Sequence, residues 1–162
     1  MAEQLYGTIA RADANYTGAA AFGLARVRSG GGDLDGALAA LELVGPTRGS
    51  FPDARLQRAR LLVEAHRSLV DLADAVAGLD AAHIPDRPKA VVTVEALDEA
   101  LEIVLRDGPL PSLRVAGVAA EEGPLRDRLE LALRNLAHLT DERSERVALV
   151  DRANSVRQWT WR

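Results

Sequence analysis

The sequence predicts an all-α protein, a tetratricopeptide-like helical repeat whose antiparallel helix pairs stack into a right-handed superhelix of about seven to eight helices. Three observations carry that prediction. Apolar residues recur at three- and four-residue intervals through most of the chain, the spacing that places them on one face of a helix. Clusters of glycine and proline cut this pattern into segments, and the segment pairs follow one another at roughly thirty to forty residues, the period of helical repeats. Hydrophobic residues make up 48% of the chain but aromatics only 4%. The core is therefore aliphatic, which suits helices at close range better than the β-branched and aromatic strands of a sandwich. No strand is expected. The 162 residues are enough for one domain that buries roughly 70% of its unfolded surface, and residues 1–162 are read as a single unit.

Residues Ala2 to Ala12 read as a first helix, with Leu5, Ile9 and Ala12 at helical spacing. Nothing before it pairs with it. Two readings follow: a repeat cut from a longer protein, or a capping helix. Asp13 to Thr17 makes the turn into the stretch that organises the rest, Phe22 to Pro46. A helix from Thr17 to Ser29 is ended by Gly30, Gly31 and Gly32, since glycine reverses a chain without steric cost. Asp33 caps the next helix with its carboxylate. Leu34, Ala37, Leu38, Leu41 and Val44 then share one face. Small residues at Ala21, Gly23, Ala25 and Ala37 let the two helices approach closely, which is the small–large code of a tetratricopeptide hairpin. The copy is degenerate: Ala21 stands where an aromatic usually opens the first helix, and the second helix is short.

A loop from Thr47 leads to a helix from Pro52, which suits a first helical turn, to His66. Leu56, Ala59, Leu62 and Val63 face inward, and Arg55, Arg58 and Arg60, with Arg67 following, make the other face basic. Ser68 to Leu79 is a further helix, with Leu69, Leu72, Ala73, Val76 and Leu79 inward. Ser68 and Asp71 resemble a capping box with aspartate in place of glutamate. His83 to Pro88 is a break. The longest helix begins at Asp86 or Pro88 and runs to Arg106 on the seam Ala90, Val94, Leu97, Leu101 and Val104. Asp107 to Gly123 is irregular, with Leu113 to Ala120 as a short helix. Gly123-Pro124 opens a helix to Leu139 with Leu125, Leu129, Ala132, Leu136 and Leu139 inward. Thr140 caps a last helix, Asp141 to Val156, with Val147, Val150 and Ala153 inward. The tail, Arg157 to Arg162, carries Trp159 and Trp161, which fold back on the domain, dock elsewhere or fray.

The net charge of −4 argues against a general nucleic-acid binder. The absence of cysteine excludes disulfides and thiolate metal sites. The N-terminus lacks the apolar run of a signal peptide, and no run reaches the ~20 residues of a membrane span. A cytoplasmic chain without cofactor is expected. His66, His83 and His138 share no motif, and none has a second histidine three or four residues away, as a helical metal site requires. Ser29 to Asp33 follows a helix rather than a strand and has no P-loop lysine, so it reads as a turn rather than a phosphate cradle. Glu95, Asp98 and Glu99, and the pair Glu121 and Glu122, read as solvated acidic faces. The arginine face, Arg55, Arg58, Arg60 and Arg67, is the one candidate site. It would meet an acidic segment of a partner, set against the plainer reading of a solvated face balanced by neighbouring acids.

Three blocks in order carry a resemblance to a known family: ANYTGAAAFGLARVRSGGGDLDGALAALELV (Ala14 to Val44), PTRGSFPDARLQRARLL (Pro46 to Leu62), and LRDRLELALRNLAHLT followed by RVALVDRANSVR (Arg146 to Arg157). They are similar to the C-terminal tetratricopeptide region of the protein kinase G family, soluble serine/threonine kinases of mycobacteria and related actinobacteria. The likeness covers roughly Glu3 to Arg157, is looser from His83 to Glu122, and stops before the tail. In that family a rubredoxin-like domain and a kinase domain precede the repeats. This chain has no cysteine, no Gly-x-Gly-x-x-Gly loop, no HRD motif and no DFG motif. The resemblance therefore implies the C-terminal piece of a larger kinase, without kinase activity of its own. It implies a module that supports the kinase architecture, helps homodimerisation and binds protein partners, the kinase domain of its own parent chain among them. The alternative is a free-standing adaptor of the same ancestry for a peptide or acidic partner. An all-α enzyme assembled from scattered residues has neither motif nor cofactor signal in its favour.

Overall fold

The structure, a computed structural model, describes residues 17–65 and 68–157. The expected helix Ala2 to Ala12, the residues His66 and Arg67, and the tail from Gln158 to Arg162 lie outside the described residues. Among the described residues the order is α1 (Thr17–Gly30), α2 (Leu34–Glu42), α3 (Phe51–Glu64), α4 (Leu69–Asp80), α5 (Asp86–Asp107), β1 (Leu110–Val115), β2 (Val118–Ala120), α6 (Glu122–His138) and α7 (Arg143–Val156).

Helices α1, α3 and α5 pack side by side in one row, while α2 and α4 each pack on the odd-numbered helix before and after them. This is the packing of stacked helical hairpins, where each hairpin needs its neighbour to cover its apolar face. Helix α7 packs on α6 and ties back to α5 through the ion pairs Arg87–Glu145 (3.1 Å) and Arg152–Asp98.

The first hairpin forms as its residues require. Gly32 at φ 80° reverses the chain, and the Asp33 carboxylate accepts from the Gly36 amide at 2.9 Å. A Cβ at Gly36 would fall 2.0 Å from Asp33 Oδ2 and 2.8 Å from Arg28 Cδ. Glycine there leaves room for the cap and for Arg28, whose guanidinium donates to the Gly36 carbonyl at 3.0 Å. Ala21, Ala25, Ala37 and Ala40 are buried at the contact. Helix α3 starts at Phe51 with Pro52 in its first turn and ends at Glu64, short of the expected His66. In α4, Ser68 Oγ accepts from the Asp71 amide at 3.2 Å and donates to the Asp71 carboxylate at 2.7 Å. That is half a capping box, with the carboxylate on the hydroxyl.

Helix α5 is the centre. Its expected seam is buried, and so are Val92, Thr93, Ala96, Ala100 and Ile103, so it is covered around most of its circumference. Two core clusters result. A small one, Ala-rich, joins α1, α2 and the Ala54 and Leu61 side of α3. A larger one runs from Ala59 and Leu62 of α3 through α4, α5, the hairpin and α6 to Ala153.

Three expectations are corrected. The short helix Leu113 to Ala120, in a chain expected to hold no strand, is an antiparallel β-hairpin with Val115 opposite Val118. Pro109 and Pro111 have no amide to give a helix interior. Ala116 (φ 49°) and Gly117 (φ 85°) supply the two positive φ angles of a two-residue hairpin loop. The hairpin packs on α4 and α6, with Val115 and Ala120 fully buried. Thr140 is not an N-cap. It is buried and its hydroxyl donates to the Leu136 carbonyl at 2.8 Å, closing α6. Glu142 caps α7 instead, its carboxylate accepting from the Ser144 and Glu145 amides at 2.9 and 2.7 Å. The face of α7 that packs on the core is Leu149, Ala153 and Val156, at i, i+4 and i+7, so Val147 points outward, 52% exposed, and Val150 is half-buried.

Candidate functional site

The row of odd-numbered helices carries two clefts. One, about 670 Å³ between α1 and α3, is lined by Phe22, Gly23, Arg26, Gln57, Leu61 and Glu64 among others. The next, about 320 Å³ between α3 and α5, is lined by Val63, Glu64, Glu95, Asp98, Glu99 and Glu102. Glu64 belongs to both. The ridge between them is the exposed side of α3, where Gln57, Arg60 and Glu64 fall at helical spacing. Glu95, Asp98, Glu99 and Glu102 fall at i, i+3, i+4 and i+7, so one face of α5 brings them together.

Two carboxylates of this face are perturbed, the largely exposed Glu95 and the half-buried Asp98. Burial pushes the Glu95 carboxyl above its ordinary value, with the Arg60 charge opposing and the Glu64 and Asp98 charges adding to the rise. Burial also raises Asp98, against the charge and hydrogen bond of Arg152. In both the cost of leaving water outweighs the cation provided.

The expected arginine face divides. Arg55 makes a bidentate pair with Glu42 at 2.8 and 3.0 Å and stacks on the Phe51 ring at 4.9 Å. Arg58 reaches Asp74 at 2.5 Å. Its Nε lies 2.8 Å from Glu42 Oε1, an ion pair without hydrogen-bond alignment. These two arginines tie α2, α3 and α4 together. Arg60 lies about 140° round the helix from Arg55 and acts on Glu95, so it belongs to the odd-helix row. Arg67 is outside the described residues.

A third cleft, about 380 Å³, opens between α4, α5, the hairpin and α6. Four of its polar side chains are bound within the protein: Lys89 to Asp80 at 2.7 Å, Thr93 to the Lys89 carbonyl at 2.8 Å, and Arg128 to the Ala116 carbonyl at 3.1 Å. His83 and His138 are exposed and apart in the fold. Among the described residues no group of histidine and carboxylate is placed to hold a metal ion, and no helix is long and apolar enough to cross a membrane.

Stacked helix pairs with an open row of odd-numbered helices define a tetratricopeptide-type repeat, a scaffold for binding other proteins. The chain matches the family model for the protein kinase G tetratricopeptide repeat over residues 1–160, and it belongs to that family. It is 36% identical over 161 residues to the serine/threonine-protein kinase PknG of Mycolicibacterium smegmatis, covering 95% of this chain and 20% of that protein. To the serine/threonine-protein kinase PknG of Mycobacterium leprae it is 34% identical over 143 residues, covering 85% of this chain and 18% of that one. The chain thus spans about a fifth of the length of these relatives.

The acidic row on α5 was legible as a helix face but not as the wall of a cleft. Its spacing, i, i+3, i+4 and i+7 opposite the apolar seam, was the available signal. That Glu64 of α3 would join it is a fact of tertiary packing.

Proposed function

We propose that this chain is the non-catalytic protein-interaction and dimerisation module of a PknG-like serine/threonine kinase, with residues 1–162 acting as one repeat domain at the C-terminal end of that kinase. The observation that supports this reading most is the joined pair of clefts along α1, α3 and α5, in a fold that belongs to the kinase's repeat family. A row of helices backed by the second row presents side chains at helical spacing, which lowers the ordering cost of binding a partner. The kinase domain of the parent chain is the first candidate partner, and a second copy of the module another. Arg60, on the ridge between the clefts, takes part in docking. An acidic partner at Arg55 and Arg58 would have to displace Glu42 and Asp74.

The test is to mix the chain with the parent's separately produced kinase domain and follow both by size-exclusion chromatography with light scattering. Co-elution that is lost on substituting Phe22→Ser and Gln57→Glu, with helicity unchanged, is the expected result. Elution of both as unaltered monomers at all concentrations would overturn the reading. An antibody to this chain should detect a native polypeptide several times its size; a band near 17.3 kDa would favour the free-standing adaptor.

A further inference from the structure

Resting on the odd-helix row as the docking face, we propose that this face takes a lysine- or arginine-rich amphipathic segment of a partner protein. An apolar side chain of that segment sits between α1 and α3, and its cations lie along α5. The two clefts differ in chemistry. Phe22, Gly23 and Leu61 give the first small and apolar walls. The second is lined by five acidic residues and Val63, so carboxylates stand over walls made largely of aliphatic carbon. Glu64 joins them, so one ligand can use both.

Charge complementarity selects the occupant. Among the described residues the cations near the clefts are Arg26 at the α1 edge, Arg60 beside Glu95, Arg152 paired with Asp98 and Arg106, which acts on Glu99 and Glu102 while pairing with Asp107. They leave the α3/α5 cleft acidic, so an acidic segment laid along it would face like charge at every turn of α5. Burial raises both Glu95 and Asp98 despite their arginines, so the existing cations undercompensate the carboxylates there. An incoming ammonium or guanidinium supplies the missing counter-charge in a site already partly withdrawn from water, where such a pair is worth more than on open surface. Geometry agrees: Glu95 to Glu102 spans ~10 Å along α5, the separation of cations two turns apart on a helical partner.

The test uses the whole chain and three fluorescent peptides of one leucine-bearing frame, with lysine, glutamine or glutamate at the variable positions. The lysine peptide should bind tightest, weaken steeply with added salt, and lose about tenfold or more in affinity on Glu95→Lys with Glu102→Lys. Both positions are exposed; should the double reversal lose helicity, Glu102→Gln gives the same sign with a smaller loss. Preference for the glutamate peptide, or equal binding of all three, overturns the basic chemistry and leaves the docking face standing. Binding of none overturns both. Self-association of the chain that the double reversal abolishes would make a second copy the occupant and overturn the inference.

Discussion

The two ends of the stack are held together by different physics. The first hairpin and its side of α3 bury five alanines, Ala21, Ala25, Ala37, Ala40 and Ala54, beside Leu24, Leu41, Val44 and Leu61. The body from α4 to α6 buries Leu72, Leu79, Leu97, Leu125, Leu129 and Leu133 completely. Alanine contacts remove little apolar area each, so the first hairpin gains from backbone proximity and from polar ties at its margin. Those ties are Arg28 on the Gly36 carbonyl and Arg55 and Arg58 on Glu42. Leucine contacts remove several times more area, at roughly 25 cal/mol per Å². The cleft between α1 and α3 lies on the weaker side, and the acidic wall on α5 is fixed to the stronger one. A binding face with one rigid wall and one yielding wall can adjust to a partner without the fold coming apart.

The largest test breaks the strong end. Leu97 is fully buried at the centre of α5. Leu97→Ala should cost about 2–5 kcal/mol, seen as an earlier urea midpoint with unchanged slope, and should raise amide exchange throughout. Loss confined to α5 would mean that the leucine body is not one cooperative unit.

The next test breaks the weak end by the opposite means. Ala37 is fully buried where α2 meets α1, so Ala37→Leu overpacks a contact that depends on smallness and should cost about 1–3 kcal/mol. Here the loss should be local: exchange rises in α1 and α2 while α5 and α6 keep their protection. Uniform loss would show that the two clusters, which share α3, unfold together.

The comparison also explains what could be seen in the sequence. Helices carry their own period, so α1 to α6 were legible from Leu and Ala spacing, and Asp33 from its place after the glycines. Leu113 to Ala120 reads as a short helix because Leu113, Ala116 and Ala120 happen to fall at helical spacing. What decides it is Ala116-Gly117 in the left-handed region and the slot between α4 and α6 that a hairpin fills. Thr140 looked like a cap because threonine before a charged helix usually is one; its burial, which sends the hydroxyl to Leu136, comes from the packing of α6 and α7. Arg55, Arg58, Arg60 and Arg67 read as one patch because the four crowd a short stretch of sequence. Arg55 and Arg58 have partners on other helices, Glu42 and Asp74, that no local pattern reveals.

The two chain reversals invite a smaller test. The first hairpin turns at Gly32, where a positive φ costs nothing; the β-hairpin turns at Ala116, where an alanine sits at φ 49°. Ala116→Gly should relieve the left-handed penalty of about 1–2 kcal/mol but add the entropy of glycine, about 0.5–1 kcal/mol. The net is a stabilisation of about 0 to 1.5 kcal/mol, seen as a melting temperature up to a few degrees higher. A lower melting temperature would mean the alanine methyl contributes to packing against the core.

The smallest effect is read by pH, at the junction of the rigid wall with α7. Asp98 is raised by burial, with Arg152 opposing, so the folded chain holds this proton more tightly than the unfolded chain does. Stability from this group is therefore fully present at pH below the ordinary aspartate value and declines as pH rises through the raised one. Asp98→Asn keeps an acceptor for Arg152 without a charge to desolvate, and should flatten the stability profile over that window. Arg152→Ala removes the opposing cation, so it should raise Asp98 further and steepen the decline. Proton titration of the Asp98 carboxyl by NMR separates the two readings of the pair. A value that falls in Arg152→Ala would mean the arginine's main effect there is to keep water away from Asp98, and the α5–α7 tie would then be packing rather than charge.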